Sequence, residues 1–138
     1  AEAARNAGVI TADEFAVFQN AGYMGFYGGM TVDDIHRKKN LEVGQKILDY
    51  MGSTELIANL FRISQTEEKL RKDGVDSADT ATAVHYKVGS EVREAIEKIG
   101  GTMPEDLPTP EKSIAQLEKE QLQRLKQQAL DGQLMLDE

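Results

Sequence analysis

Between Gly52 and Gly74 the chain carries neither glycine nor proline. That uninterrupted stretch constrains the fold more than any other feature. Ser53 or Thr54 is placed to cap its start, Glu55 stands in the first turn, and Arg71 and Lys72 stand in the last, where their charges complement a helix macrodipole. Leu56, Leu60, Ile63 and Leu70 recur at spacings that share one side of a 3.6-residue helix; Ile57 and Phe61 widen that side and Glu67 interrupts it. The pattern predicts one long helix, apolar side inward, with other helices laid against it.

Ahead of this stretch, residues 1–7 suit a helix that Gly8 stops. Thr11 and Glu14 have capping-box spacing, with Ile10 and Phe15 placed for a hydrophobic staple. The helix they begin carries Phe15 and Phe18 inward and is expected to stop near Ala21 and Gly22. Residues 22–29 then hold four glycines, three aromatics and a methionine. That glycine density disfavours regular structure and reads as a packed turn or a contact surface. Thr31 and Asp34 repeat the capping box and start a short helix through His36, Arg37, Lys38 and Lys39. A further helix is expected over 41–51, with Leu41, Ile47, Leu48 and Met51 as its apolar members.

Beyond the long stretch, Asp76 or Ser77 caps a second long helix with an inward stripe of Ala81, Val84, Val88, Val92, Ala95, Ile96 and Ile99, ended by Gly100 and Gly101. Its valines are poor helix formers, so packing must hold it. Pro104, Pro108 and Pro110 make an extended strap. Thr109 as cap and Pro110 at the first helical position launch a last helix, whose stripe of Ile114, Leu117, Leu122, Leu125 and Ala129 is narrow. No segment alternates like a strand with hairpin turns. The fold class is all-α: a compact multi-helix domain of about five or six helices with a proline-rich strap and a C-terminal helical arm. Its parts are a helical core over 1–100, the strap over 101–110 and the arm over 111–138.

The 138 residues suit one domain with its own core. The chain has no cysteine, which removes disulfides and thiolate chemistry and fits a reducing, cytoplasmic interior. A net charge of −8 disfavours broad tracking of nucleic-acid phosphates. No apolar run is long enough for a membrane span, and no signal peptide is visible. The first residue is not methionine and the opening reads as the tail of a helix, which points to a piece of a longer protein.

Chemistry is sparse. The two histidines, His36 and His85, lack a partner at metal-ligand spacing and read as structural. The serines fall at caps and helix surfaces without a nucleophile elbow, and the glycine cluster lacks the Gly-Lys-Ser/Thr of a phosphate cradle. The expectation is a non-enzyme with no catalytic residue, metal or cofactor. The candidate partner-binding residues are Tyr23, Phe26 and Tyr27 of the glycine–aromatic stretch together with His36, Arg37, Lys38 and Lys39. The alternative is a nucleic-acid-binding module using the Arg37-Lys38-Lys39 basic patch, and a solvated helix end is the plainest account of those cations.

Three blocks of the sequence, from Phe18 to Gly29, from Ile35 to Lys39 and from Gln45 to Arg71, resemble the C-terminal half of the bacterial DNA-damage-inducible protein D (DinD) family; the residues from Gly100 to Ile114 continue the likeness. It covers roughly residues 4–120 and weakens over the last eighteen. The resemblance implies a regulator of the DNA-damage (SOS) response that modulates a recombinase filament, with kinship to prophage antirepressors. The implied partner is a protein, a recombinase or a repressor, and self-association is expected from the thin C-terminal stripe. The family's N-terminal BRO-type domain is missing from this sequence, and DNA contact is expected there. The resemblance supplies no catalytic residue.

Overall fold

A computed structural model describes residues 2–111 and 113–137, with side chains for all of these except 114 and 133–137. In chain order come α1 (Glu2–Asn6), α2 (Ala12–Phe26), α3 (Val32–Lys38), a 3-10 turn (Ile47–Asp49), α4 (Ser53–Lys72), α5 (Ala78–Ile99), a second 3-10 turn (Pro104–Asp106) and α6 (Ile114–Asp137). Among the described residues there is no strand, and no helix is long and apolar enough to cross a membrane. The fold is all-α.

The capping signals of α2, α3 and α5 are realised, whereas α4 starts from Gly52 with no side-chain cap, so neither Ser53 nor Thr54 caps it. Thr11 Oγ1 accepts from the Glu14 N–H at 3.1 Å while the Glu14 carboxylate accepts from the Thr11 N–H at 3.0 Å. Those backbone bonds hold the Glu14 carboxyl below its usual pKa. Thr31 and Asp34 do the same for α3. Ser77 caps α5, and Gly100 closes it in the left-handed region at φ 87. Gly8, at φ 100, ends the turn after α1.

α2 does not stop at Gly22. It continues to Phe26 and takes Gly22 and Gly25 into its body, each at about 1 kcal/mol of helix propensity relative to alanine. Packing against α5 offsets that cost, because the two helices cross with little side chain between them. A Cβ at Gly25 would sit 2.1 Å from the Tyr86 carbonyl oxygen, and one at Gly22 2.3 Å from His85 Nε2. On the facing helix, a Cβ at Gly89 would meet the Gly22 carbonyl oxygen at 2.9 Å. Only the last two glycines of the cluster, Gly28 and Gly29, form a turn, at φ 66 and 95. The most extensive helix contact in the molecule is α2 on α5, and α4 also packs on α5. The rod on which the others are laid is therefore α5 rather than α4.

Other expectations fail for local reasons. Residues 41–51 hold no α-helix: Asn40 and Gly44 take positive φ (55 and 87), and only the turn Ile47–Asp49 is regular. α6 starts at Ile114, where Ser113 Oγ accepts from the Gln116 N–H at 3.2 Å. Thr109 does not cap it; its hydroxyl accepts from Lys39 Nζ at 3.2 Å instead. α6 exposes Leu117, Leu122, Leu125, Ala129 and Leu130; the side chain of Ile114 lies outside the described residues. The α5 stripe buries Ala81 and Val88 and half-buries Val84, Val92 and Ile96, but Ala95 and Ile99 emerge into solvent.

The strap is tied down by a fork. Arg93 Nη1 and Nη2 donate to Glu105 Oε1 and Oε2 at 2.7 and 2.8 Å, and Nη1 also donates to the Phe26 carbonyl at 3.1 Å. Burial raises the Glu105 pKa, but the bonds from Arg93 outweigh it and the net shift is downward. Two apolar clusters result. One gathers Ala4, Ala7, Val9, Phe18, Leu70 and Ala81; the other gathers Phe26, Tyr27, Ile35, Ile47 and Met51.

Candidate functional site: a polar interior beneath an apolar exterior

The apolar side of α4 does not face inward. Its buried residues are Glu55, Asn59, Arg62, Thr66 and Leu70, while Ile57, Leu60 and Phe61 are 67%, 51% and 55% exposed. Leu56 and Ile63 are half-buried. Of the expected stripe only Leu70 is fully inside. The helix thus buries a mainly polar side and leaves Ile57, Leu60 and Phe61 outside, and the reason is the set of partners waiting on α2, α3 and α5.

Those partners form one hydrogen-bonded chain. Lys39 Nζ, at the end of α3, pairs with Glu55 Oε1 at 2.9 Å, with side chains only 6% and 1% exposed. The same ammonium donates to the Tyr50 carbonyl at 3.2 Å. Tyr27 donates its hydroxyl proton to Glu55 Oε2. Asn59 Nδ2 donates to Tyr27 Oη and to the Glu55 carbonyl, both at 3.0 Å. Arg62 Nε donates to Asn59 Oδ1 at 3.0 Å, and Arg62 Nη1 donates to His85 Nε2 at 3.0 Å. His85 Nδ1 then donates to the Phe18 carbonyl at 2.8 Å. Thr66 closes the row by donating to the Arg62 carbonyl at 2.8 Å. Among the described residues no buried side-chain nitrogen or oxygen is left without a partner, which is what makes a polar interior tolerable.

The chain fixes protonation states. A carbonyl only accepts and a guanidinium only donates, so His85 carries its proton on Nδ1 and a bare lone pair on Nε2. Burial, reinforced by the Arg62 charge, lowers the His85 pKa to about 4. With both ring nitrogens engaged, His85 has no free lone pair for a metal or a substrate. Among the described residues, no group of three or more histidine or acidic side chains is placed to hold a metal ion. Burial raises the Tyr27 pKa, helped by its bond to Glu55, and raises that of Tyr23 against the opposing Arg62 charge. Arg62 itself is shifted down by burial. Its Cζ lies 4.7 Å from the Tyr23 ring centroid and 5.8 Å from that of Phe26, within cation–π range.

The residues singled out from the sequence separate into two groups. Phe26 and Tyr27 are buried, Tyr23 is half-buried, and Lys39 is inside; all four join the interior chain or its aromatic lining. His36 is half-buried. Arg37 is at the surface on Asp34 at 2.6 Å, and Lys38 faces Asp106 at 3.7 Å. Glu55, Asn59, Arg62 and Thr66 were invisible to a search for apolar periodicity. Yet their own steps of four, three and four residues mark a polar stripe as regular as the apolar one.

These features define a helical domain with a buried polar interior, an exposed apolar row on α4 and an α6 whose leucines face solvent. The family model of the DinD C-terminal domain matches residues 1–117, and the chain belongs to that family. It is 61% identical over 117 residues to the DNA damage-inducible protein D of Escherichia coli (strain K12), covering 85% of this chain and 43% of that relative. The chain thus spans less than half the length of the relative it matches. No solved structure matches.

Proposed function

We propose that this chain is a non-catalytic interaction and assembly module of a DNA-damage-inducible regulator, acting by stoichiometric binding to protein. The observation that carries this reading is the outward apolar row of Ile57, Leu60 and Phe61 on α4. Scattered exposed apolar residues are ordinary, whereas a contiguous row on one helix suits a protein interface. On α6, Leu122, Leu125 and Ala129 share one exposed side and support self-association. The DinD resemblance directs the partner toward a recombinase filament in the SOS response, with a prophage repressor as the antirepressor variant of the same role. The nucleic-acid reading through residues 37–39 gains no support from the geometry, because each of the three cations already faces a carboxylate.

Two measurements test the proposal. Sedimentation over a concentration series should show association that Leu122→Asp with Leu125→Asp abolishes; a concentration-independent monomer counts against assembly. Binding of the protein to a purified recombinase filament should be lost in Leu60→Asp with Phe61→Asp. Unchanged binding in that folded variant removes α4 as the interface.

A further inference from the structure

Arg62 is 1% exposed and forms no ion pair with any carboxylate among the described residues. Its neighbour in the interior chain, Lys39, does have one, so the polar interior neutralises one cation and leaves the other. Nε and Nη1 are engaged by Asn59 and His85, whereas Nη2 makes no hydrogen bond among the described residues and is the part of the guanidinium that is not fully buried. The tyrosine and phenylalanine faces beside the guanidinium soften its charge but supply no lone pair. A cation held this deep, with one donor nitrogen unpaired and not fully buried, suits an acceptor that carries negative charge.

The guanidinium lines a cleft of about 120 Å³ that also takes in Phe15, Phe18, Gln19, Ile63 and His85. Cavities of roughly 150 Å³ accommodate a benzene ring, so a carboxylate with a short apolar body is the matching size. The lining is aromatic and aliphatic walls, a fixed guanidinium, a neutral His85 that adds no second charge, and one carboxylate, Glu67, which Arg71 pairs at 4.0 Å. We infer that the cleft between α2 and α4 is a binding site for an apolar carboxylate, held by Arg62 through the donors its own neighbours leave free. The shared chemistry has two sources, a free short-chain acid or the carboxyl terminus of a polypeptide ending in an aliphatic residue.

The test uses nitrogen-15 spectra of the full chain titrated with 3-methylbutanoate, with 3-methylbutanamide as the uncharged control. The expected result is a saturable shift of the Arg62 Nε–H resonance and of amides around the cleft with the acid, at least tenfold weaker with the amide. Arg62→Gln should abolish the response. Because that variant removes a buried bond to His85 and risks unfolding, Gln19→Glu serves as the second variant. Gln19 is exposed at the cleft, and a carboxylate there should weaken binding about tenfold through like-charge repulsion while the fold is kept. N-acetylated Gly-Leu, free or amidated at its terminus, identifies the source. Tighter binding of its free-acid form than of 3-methylbutanoate assigns a polypeptide terminus, and weaker binding assigns a small acid. Equal shifts with acid and amide, or no saturable shift with any carboxylate probe, overturn the site.

Discussion

Acidification from pH 7 to pH 5 should weaken this fold in a window where its carboxylates are not yet the main titrating groups. The perturbation acts at His85, whose pKa falls from an ordinary 6.5 to about 4 in the folded chain. Between those values the unfolded chain binds a proton that the native one refuses, so stability falls as pH falls. Above about pH 6.5 the stabilisation is complete, and below about pH 4 the native imidazole also protonates and no further loss comes from this group. Integrating between pH 7 and pH 5 gives a loss of about 2 kcal/mol. For a domain of this size that lowers the urea midpoint by about 1 M. The assay is urea unfolding followed by circular dichroism at half-unit pH steps, on the wild type and on His85→Gln. Glutamine carries an amide that can donate and accept without titrating, so the variant starts less stable at pH 7 but should lose the slope. A wild-type midpoint that is flat from pH 7 to pH 5, or a slope unchanged in the variant, refutes the neutral, Arg62-facing imidazole.

Two further outcomes follow from the same contacts. Gly25→Ala drives a methyl group to 2.1 Å from a backbone oxygen of α5, so it should cost about 3 kcal/mol in urea unfolding, whereas Gly132→Ala, with nothing within 4 Å, should be neutral or stabilising. Lys39→Met strands the buried Glu55 carboxylate and should cost about 3 kcal/mol; adding Glu55→Gln removes the stranded charge, and the double variant should be more stable than Lys39→Met alone.

Much of the fold was legible because its signals are local. Thr11 with Glu14, Thr31 with Asp34, Ser77 and Gly100 each specify a helix end within a few residues, and the structure realises each one. The extent of α2 was not legible, because glycine density argues against a helix unless a facing helix needs the space. That need arises only once Gly89 on α5 is brought opposite Gly22 and Gly25. The orientation of α4 fails for the same kind of reason. Apolar residues normally turn inward, but here the inward side is set by Tyr27, Lys39 and His85, which satisfy Glu55, Asn59 and Arg62 at distances in sequence of up to 32 residues. Of the candidate site, the aromatics and Lys39 were visible as residues but not as parts of an interior network.

The central claim is that α4 carries Glu55, Asn59, Arg62 and Thr66 inward and Ile57, Leu60 and Phe61 outward. The chain has no cysteine, so single-cysteine variants report each position separately. Thiol-labelling rates of the native protein, taken at a concentration where it sediments as a monomer, should be fast for Ile57→Cys, Leu60→Cys and Phe61→Cys. They should be slower by orders of magnitude for Asn59→Cys and Thr66→Cys, whose sites are fully buried. Rapid labelling at 59 and 66 with protection at 57, 60 and 61 would mean that α4 is turned the other way.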